Sequence, residues 1–177
     1  MLPIKAIEQY GSENILGFDQ AVNLIQQLKQ TNKTVGLCHG GFDLTHPGHV
    51  KHFESAKKQC DILIVSITAD QFVTSRKGSG RPVYTDKLRA YIIANIKFVD
   101  FVVITNFKLG VDVIQALKPT FYIKGPDFIN KTTPGITAER EAIKSVGGEI
   151  KYTTEPPMST TKIIEYVKNQ VLAQEVL

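Results

Sequence analysis

Apolar and polar positions along the chain follow two alternating periods. Short runs rich in β-branched residues, at Thr34–Cys38, Ile62–Thr68, Phe98–Ile104, Thr120–Ile123 and Glu149–Thr153, have the length and composition of strands. Between them apolar residues recur at helical spacing, predicting helices over Pro47–Gln59, Asp86–Ile96, Val111–Leu117 and Thr137–Ser145, and a last one from Thr160 to about Leu172. Strands alternating with helices in this way predict an α/β fold whose parallel strands are joined by crossover helices. Ahead of the first strand, Asp19–Gln30 sets Ala21, Leu24, Ile25 and Leu28 at i, i+3, i+4 and i+7, an amphipathic helix with a face to bury on the sheet or on a partner. The expectation is a doubly wound parallel sheet of five strands formed by residues 34–177 as one globular unit, with residues 1–33 as an N-terminal helical extension.

Composition narrows the function classes. At 177 residues and 42% hydrophobic, the chain is long enough to bury most of its apolar surface in one domain. A net charge of +4 suits a polyanionic small molecule as well as it suits nucleic acid. The cations are not gathered into a run, since Lys57-Lys58 and Arg76-Lys77 are the only adjacent Lys/Arg pairs, so nucleic acid is not the expected partner. Cys38 and Cys60 lie in or beside apolar runs without metal-binding spacing and read as core residues of a reduced compartment. The first residues lack the apolar stretch of a signal peptide, and no run approaches the roughly 18 residues of a membrane span. A cytoplasmic protein without a membrane partner is expected.

The chemistry is concentrated in His39-Gly40-Gly41-Phe42-Asp43-Leu44-Thr45-His46-Pro47-Gly48-His49, directly after the first predicted strand. Paired glycines let the backbone approach a ligand, and Pro47 suits the first turn of a helix. A helix N-terminus at the carboxyl end of such a strand favours anions, because free N–H groups and the helix dipole point at it. His46 and His49 would present two imidazoles to one phosphate group, donating to oxygens whose charge builds in a transition state. Lys51 and Lys57, further along the same helix, are candidates for neutralising a triphosphate, with Lys51 grouped with the histidines as catalytic, although surface helix lysines are more often only solvated. Asp43 fits a turn-stabilising carboxylate first, and orienting the turn or assisting a metal second.

With these residues in view, the sequence resembles the HxGH cytidylyltransferase-like nucleotidyltransferases, whose signature GGFDLTHPGH matches, over about Thr34 to Glu165. The likeness is strongest to the nucleotidyltransferase domain of bacterial ADP-heptose synthases, then to glycerol-3-phosphate cytidylyltransferases. Arg76-Lys77-Gly78-Ser79-Gly80-Arg81-Pro82-Val83 is similar to the KG-x-x-RPV loop of the heptose enzymes, which implies phosphate contacts for Lys77 and Arg81. Lys124-Gly125-Pro126-Asp127-Phe128 resembles their KGGDY, which implies that Lys124, Gly125 and Asp127 lie near the base and ribose; Pro126 in place of glycine removes an N–H there. Ser159-Thr160-Thr161-Lys162-Ile163-Ile164 resembles STT-x-II, with hydroxyls that cap a helix, meet phosphate, or both.

The resemblance implies a Rossmann-like sheet and transfer of a nucleoside monophosphate from a nucleoside triphosphate to a phosphorylated small molecule such as heptose 1-phosphate, with release of pyrophosphate. Gly40, Gly41 and Phe42 join the nucleotide-binding set, and Mg2+ is expected on the triphosphate without protein side-chain ligands. The cytidylyltransferases place an arginine and a glycine shortly before STT; here Glu155-Pro156-Pro157-Met158 stands instead, which favours ATP over CTP as donor. Residues Ile129 to Arg140, with Lys131, Thr132 to Gly135 and Arg140, depart most from the relatives and are assigned to the acceptor. A homodimer is expected, with any kinase step on another protein. The rival readings are a cytidylyltransferase for glycerol-3-phosphate or another polyol phosphate, a nucleotide-binding module without catalysis, and a nucleic-acid-binding domain.

Overall fold

The computed structural model describes residues 9–156 and 158–171. It is an α/β protein with one six-stranded parallel sheet: β1 Ile15–Leu16, β2 Val35–Gly40, β3 Ile62–Thr68, β4 Phe101–Thr105, β5 Phe121–Lys124 and β6 Glu149–Tyr152. The helices are α1 Phe18–Gln30, α2 Pro47–Lys57, α3 Asp70–Lys77, α4 Asp86–Ala94, α5 Gly110–Leu117, α6 Pro134–Ser145 and α7 Thr160–Tyr166. A 3-10 turn at Pro126–Phe128 follows β5, and Val167–Val171 continues α7 as π-helix.

The central strands read as continuous apolar runs because both of their faces are covered, as parallel sheets require. Side chains alternate between two cores. On one side Leu37, Ile64, Val103 and Tyr122 meet Ala21 and Ile25 of α1, Val113 and Ile114 of α5, and Ala142 and Ile143 of α6. On the other, Cys38, Leu63, Val65, Ile67 and Val102 meet Phe53 and Ala56 of α2 and Ala90 and Ile93 of α4. The amphipathic helix ahead of the first predicted strand thus buries its face on the sheet itself.

Two elements escaped the sequence pattern. β1 pairs with β4 through Ile15 and Leu16 alone, too short to show a period. α3 buries only Val73, so no apolar stripe announces it. β2 extends two residues beyond the predicted strand, since pairing with β3 continues to Gly40 opposite Ile67, which brings His39 into the sheet. β4 begins at Phe101 rather than Phe98, because the Val99 amide donates to Ile96 and closes a turn after α4. The predicted end of the last helix at Leu172 lies outside the described residues. Among those described, no helix is long and apolar enough to cross a membrane.

The strand order β1-β4-β3-β2-β5-β6 sets the location of the site. From β2 the chain winds one way through β3 and β4, then returns to place β5 on the other side of β2. The carboxyl ends of β2 and β5 therefore flank a topological switch point, where loops diverge and leave a crevice.

Candidate active site

Four segments converge on that crevice: the loop after β2 with the start of α2, the end of α3, the turn after β5, and the start of α7. They line a cleft of about 1110 Å³. After Gly41 the chain must reverse into α2, and Phe42 and Leu44 adopt left-handed backbone with φ of 44° and 50°, a conformation that costs a non-glycine residue and that the surroundings must hold. Asp43 holds much of it. Its carboxylate is 1% exposed and accepts from Arg81 Nε at 2.8 Å, the Val83 amide at 3.0 Å and the Tyr84 amide at 3.2 Å. Burial would raise its pKa, but these donors outweigh it and hold the carboxyl below its ordinary value. Its carbonyl in turn accepts from Thr160 Oγ1 at 3.0 Å, tying α7 to the loop. The structural reading of Asp43 is the one these bonds support.

His46 is the residue before α2 and His49 lies in its first turn, the His49 amide donating to the His46 carbonyl at 2.9 Å. Their rings stack with centroids 3.8 Å apart and planes 14° from parallel. Gly48 permits this: a Cβ there would sit 2.7 Å from Met158 Cβ and 3.1 Å from the His46 ring. Phe42 supports the stack from below, edge-on to His49 at 5.4 Å and against Phe53 at 5.1 Å. Nδ1 and Nε2 of His46 and Nδ1 of His49 are buried without a hydrogen-bond partner among the described residues. Burial holds His49 down to about 3, with His46, His52 and Lys77 adding repulsion, and burial lowers His46 too, so both rings are neutral at pH 7. Three unpartnered ring nitrogens in one cleft mark a place for a polar ligand.

The cations divide into those the cleft presents and those it does not. Arg76 and Lys77, at the end of α3, line it, and burial together with Arg81 and Arg76 lowers the Lys77 pKa. Arg81 is spent in part on Asp43, and its Nη2 is buried without a partner. Lys51 does not line the cleft. It stands two residues, about 200° of helix rotation, beyond His49, and its 67%-exposed side chain pairs with Glu54 at 2.8 Å. Lys57 is likewise committed elsewhere, to Asp100 at 2.6 Å and the Asp61 carbonyl at 2.5 Å.

At the β5 end, Lys124 lines the cleft but is paired with Glu139 at 2.7 Å and lies 4.2 Å above the Phe128 ring. Gly125 opens the 3-10 turn, with Asp127 Oδ1 2.8 Å from where its Cβ would stand, and Pro126 fits the first position of that turn without strain. Asp127 pairs with Lys131 at 3.1 Å, and both line the cleft. Arg140 does not: its guanidinium holds the carbonyls of Phe128, Ile129 and Lys131 and the Tyr152 hydroxyl, bracing the turn. Ser159, Thr160 and Thr161 all line the cleft, and the Ser159 side chain makes no cap bond, so capping does not account for it.

The residue matches run together with the fold. The family described as cytidylyltransferase-like matches residues 37–166. The chain belongs to the cytidylyltransferase-like family. Among curated members it is 35% identical over 171 residues to the Bifunctional protein HldE of Campylobacter jejuni (strain 81116), covering 93% of this chain and 35% of that one. The HldE of Helicobacter pylori G27 is 35% identical, with 82% of this chain and 30% of that one covered. The chain thus spans about a third of the length of these relatives. In fold, this cytidylyltransferase-like chain is similar to the lipopolysaccharide core biosynthesis protein of Thermoplasma volcanium (TM-score 0.58, 21% identity, 71% of this chain and 99% of that one). It is also similar to the pantoate-beta-alanine ligase of Francisella tularensis (TM-score 0.57, 17% identity, 89% and 77%).

Four features of this family member were not anticipated. Arg89 of α4 is fully buried: Nε donates to the Tyr84 carbonyl, Nη1 to the Gly41 carbonyl, and Nη2 to the Thr68 carbonyl at 2.8 Å and to Asp70 at 2.7 Å. It ties the loop after β2 to the ends of β3 and α3. A cation four residues before Ile93, on the buried side of α4, was the available signal. Glu139 and the His52–Glu155 pair come from distant segments and left none. His39 contacts Ser66 at 3.0 Å and Thr68 at 3.4 Å, and burial with Lys124 and Arg76 nearby holds it down to about 3.

Proposed function

We propose that this chain is a nucleotidyltransferase that joins a nucleoside monophosphate, from ATP in preference to CTP, to a sugar phosphate of the heptose 1-phosphate class and releases pyrophosphate. The observation that carries the reading is the stacked His46–His49 pair, with three unpartnered ring nitrogens in the cleft at the switch point. A neutral imidazole offers one N–H donor and one acceptor nitrogen. Two such rings, set where the α2 dipole also favours anions, suit the oxygens of an α-phosphate whose charge grows during in-line attack. The Gly40–Gly41 backbone lies open to the same space. Arg81 is paired with the buried Asp43 carboxylate, Arg81 and Arg76 both lower the Lys77 pKa, and a triphosphate would relieve that mutual repulsion of cations.

Phosphoryl chemistry of this kind needs positioning and charge neutralisation rather than a covalent intermediate. A magnesium ion carried by the triphosphate would neutralise phosphate charge. Lys131, with Thr133 and Gly135 beside it, forms the end of the cleft assigned to the acceptor. The HldE relatives and the RKGSGRPV and STTKII segments support a sugar phosphate there. The test is pyrophosphate release with ATP, CTP, GTP and UTP crossed against heptose, hexose, glycerol and other polyol phosphates. His46→Ala and His49→Ala should each lower turnover about 100- to 1,000-fold without unfolding the protein. Near-normal turnover in both variants would remove the mechanism, and bound nucleotide without turnover for any acceptor would leave a binding module.

A further inference from the structure

We propose that Glu155 selects the nucleobase, accepting a hydrogen bond at Oε2 from the 6-amino group of adenine or the 4-amino group of cytosine. The inference rests on the nucleotide-binding role proposed for the cleft and deepens it to the choice of donor. Glu155 follows β6 and lines the cleft, yet its side chain is only 9% exposed. Oε1 is fully engaged, accepting from His52 Nδ1 at 3.0 Å and from Thr153 Oγ1 at 2.6 Å. Oε2 is buried and has no partner among the described residues.

A half-satisfied buried carboxylate is costly, and the satisfied half explains how it is kept. Burial opposes the charge on both members of the pair. For His52 that penalty is outweighed by the Cys38 sulfur and the Glu155 carboxylate, so its pKa is raised; for Glu155 it is outweighed by bonds from His52 and Thr153, so its pKa is lowered. Thr153 is itself fully buried, and with its one hydroxyl proton given to Glu155 its oxygen lies 2.9 Å from His52 Nδ1. The ionised carboxylate is thereby fixed in orientation, and its free oxygen is an acceptor only.

An acceptor of that kind repels phosphate and calls for a donor on the rest of the nucleotide. His52 lies three residues beyond His49, one helix turn away from the histidine stack, so Oε2 is displaced from the phosphate end along α2. With the 6- or 4-position edge of a base against Oε2, adenine and cytosine present an amino group. Guanine and uracil present a carbonyl oxygen there, which the carboxylate repels. Of the four residues that depart from the cytidylyltransferase pattern before Ser159, Glu155 is the one that offers a carboxylate.

Calorimetric binding to the intact protein tests this without any acceptor and without turnover, so the outcome is separable from that of the proposed reaction. ATP is compared with inosine triphosphate and with the purine riboside triphosphate that lacks the amino group, and CTP with UTP. The amino-bearing member of each pair should bind about 10- to 100-fold tighter, the range for one hydrogen bond to a charged group. In Glu155→Gln the amide NH2 replaces an acceptor by a donor, and the ratio should collapse or invert toward the keto bases. Equal affinity within each pair for the unaltered protein, or tighter binding of GTP or UTP, would overturn the proposal. So would a larger loss from 2′- or 3′-deoxy ATP than from inosine triphosphate, since that places the contact on the ribose.

Discussion

Replacing Gly48 by alanine adds one methyl group at the second position of α2, and the structure separates its consequence for activity from its consequence for stability. As a helical residue, alanine is favoured over glycine by at most about 1 kcal/mol. The new Cβ would meet Met158 Cβ at 2.7 Å and the Cε1 and Nδ1 atoms of His46 at 3.1 Å. To reach ordinary contact the Met158 segment must retreat by roughly 0.7 Å and the His46 ring by a few tenths of an ångström. Met158 is half exposed and can move, which offsets the helical gain and leaves stability within about 1 kcal/mol of the unaltered protein. The His46 ring has less freedom, being stacked on His49 at 3.8 Å, so it must slide or tilt on that stack. A misplacement approaching 1 Å costs about 100-fold in rate. Pyrophosphate release in Gly48→Ala should therefore fall between tenfold and 100-fold while the thermal midpoint stays within a few degrees. Turnover within threefold of normal would show that the stacked geometry is not what the chemistry uses.

The remaining expectations follow from the same contacts. Arg89→Leu removes the buried cation that satisfies three carbonyls and Asp70, and should cost about 3–5 kcal/mol by denaturant unfolding; a loss under 1 kcal/mol would contradict its role as a tie between loops. Lys51→Ala breaks only an exposed pair with Glu54 and should change turnover less than twofold, whereas a tenfold loss would return Lys51 to the site. His39 and His49, each held to about 3, bind fewer protons folded than unfolded between there and their ordinary value of 6.5. The contribution of these two rings should then be full above pH 6.5 and fall as pH drops below it, by up to about 1.4 kcal/mol per pH unit for each ring, while His52, whose pKa is raised, contributes fully below pH 6.5 and loses its contribution only above it. Unfolding curves between pH 4.5 and 7 check this, and a stability independent of pH across that window would refute it.

What the sequence made legible is what lies close together in it. The parallel strands showed as unbroken apolar runs because both faces are covered, and the HPGH segment showed because one helix turn sets both imidazoles in a single cleft. α3 stayed hidden because one buried valine makes no stripe, and with it the fact that Arg76 and Lys77 end a helix instead of lying in a loop. The cations that the structure does not bring into the cleft are those whose partners were not legible in the sequence. Lys51, Lys57 and Arg140 carry the right sign for phosphate, but Glu54, Asp100 and the carbonyls of the 128–131 turn already hold them. Arg81 was read as a phosphate ligand from its loop and proves to be bound to Asp43, 38 residues earlier.

That pairing gives the cleft a gradient of charge. Arg76 and Lys77 line the cleft and act on His39 and His49, with Arg81 paired to the buried Asp43 carboxylate. Further along, Lys124 is neutralised by Glu139 at 2.7 Å, and His52 by Glu155 at 3.0 Å. Buried ion pairs contribute little to stability, since desolvation cancels most of their attraction, so hydrophobic residues of the same size would hold the fold as well. What the two pairs supply is fixed polar groups without net charge: the Lys124 ammonium is pinned over Phe128, and the Glu155 carboxylate is pinned with one oxygen free. A triphosphate entering this cleft would meet Arg76 and Lys77 together with the imidazoles at the histidine end, whereas Lys131 at the other end is paired with Asp127. Its orientation would be set by the histidine end, leaving the paired charges to distinguish the neutral parts of the ligand.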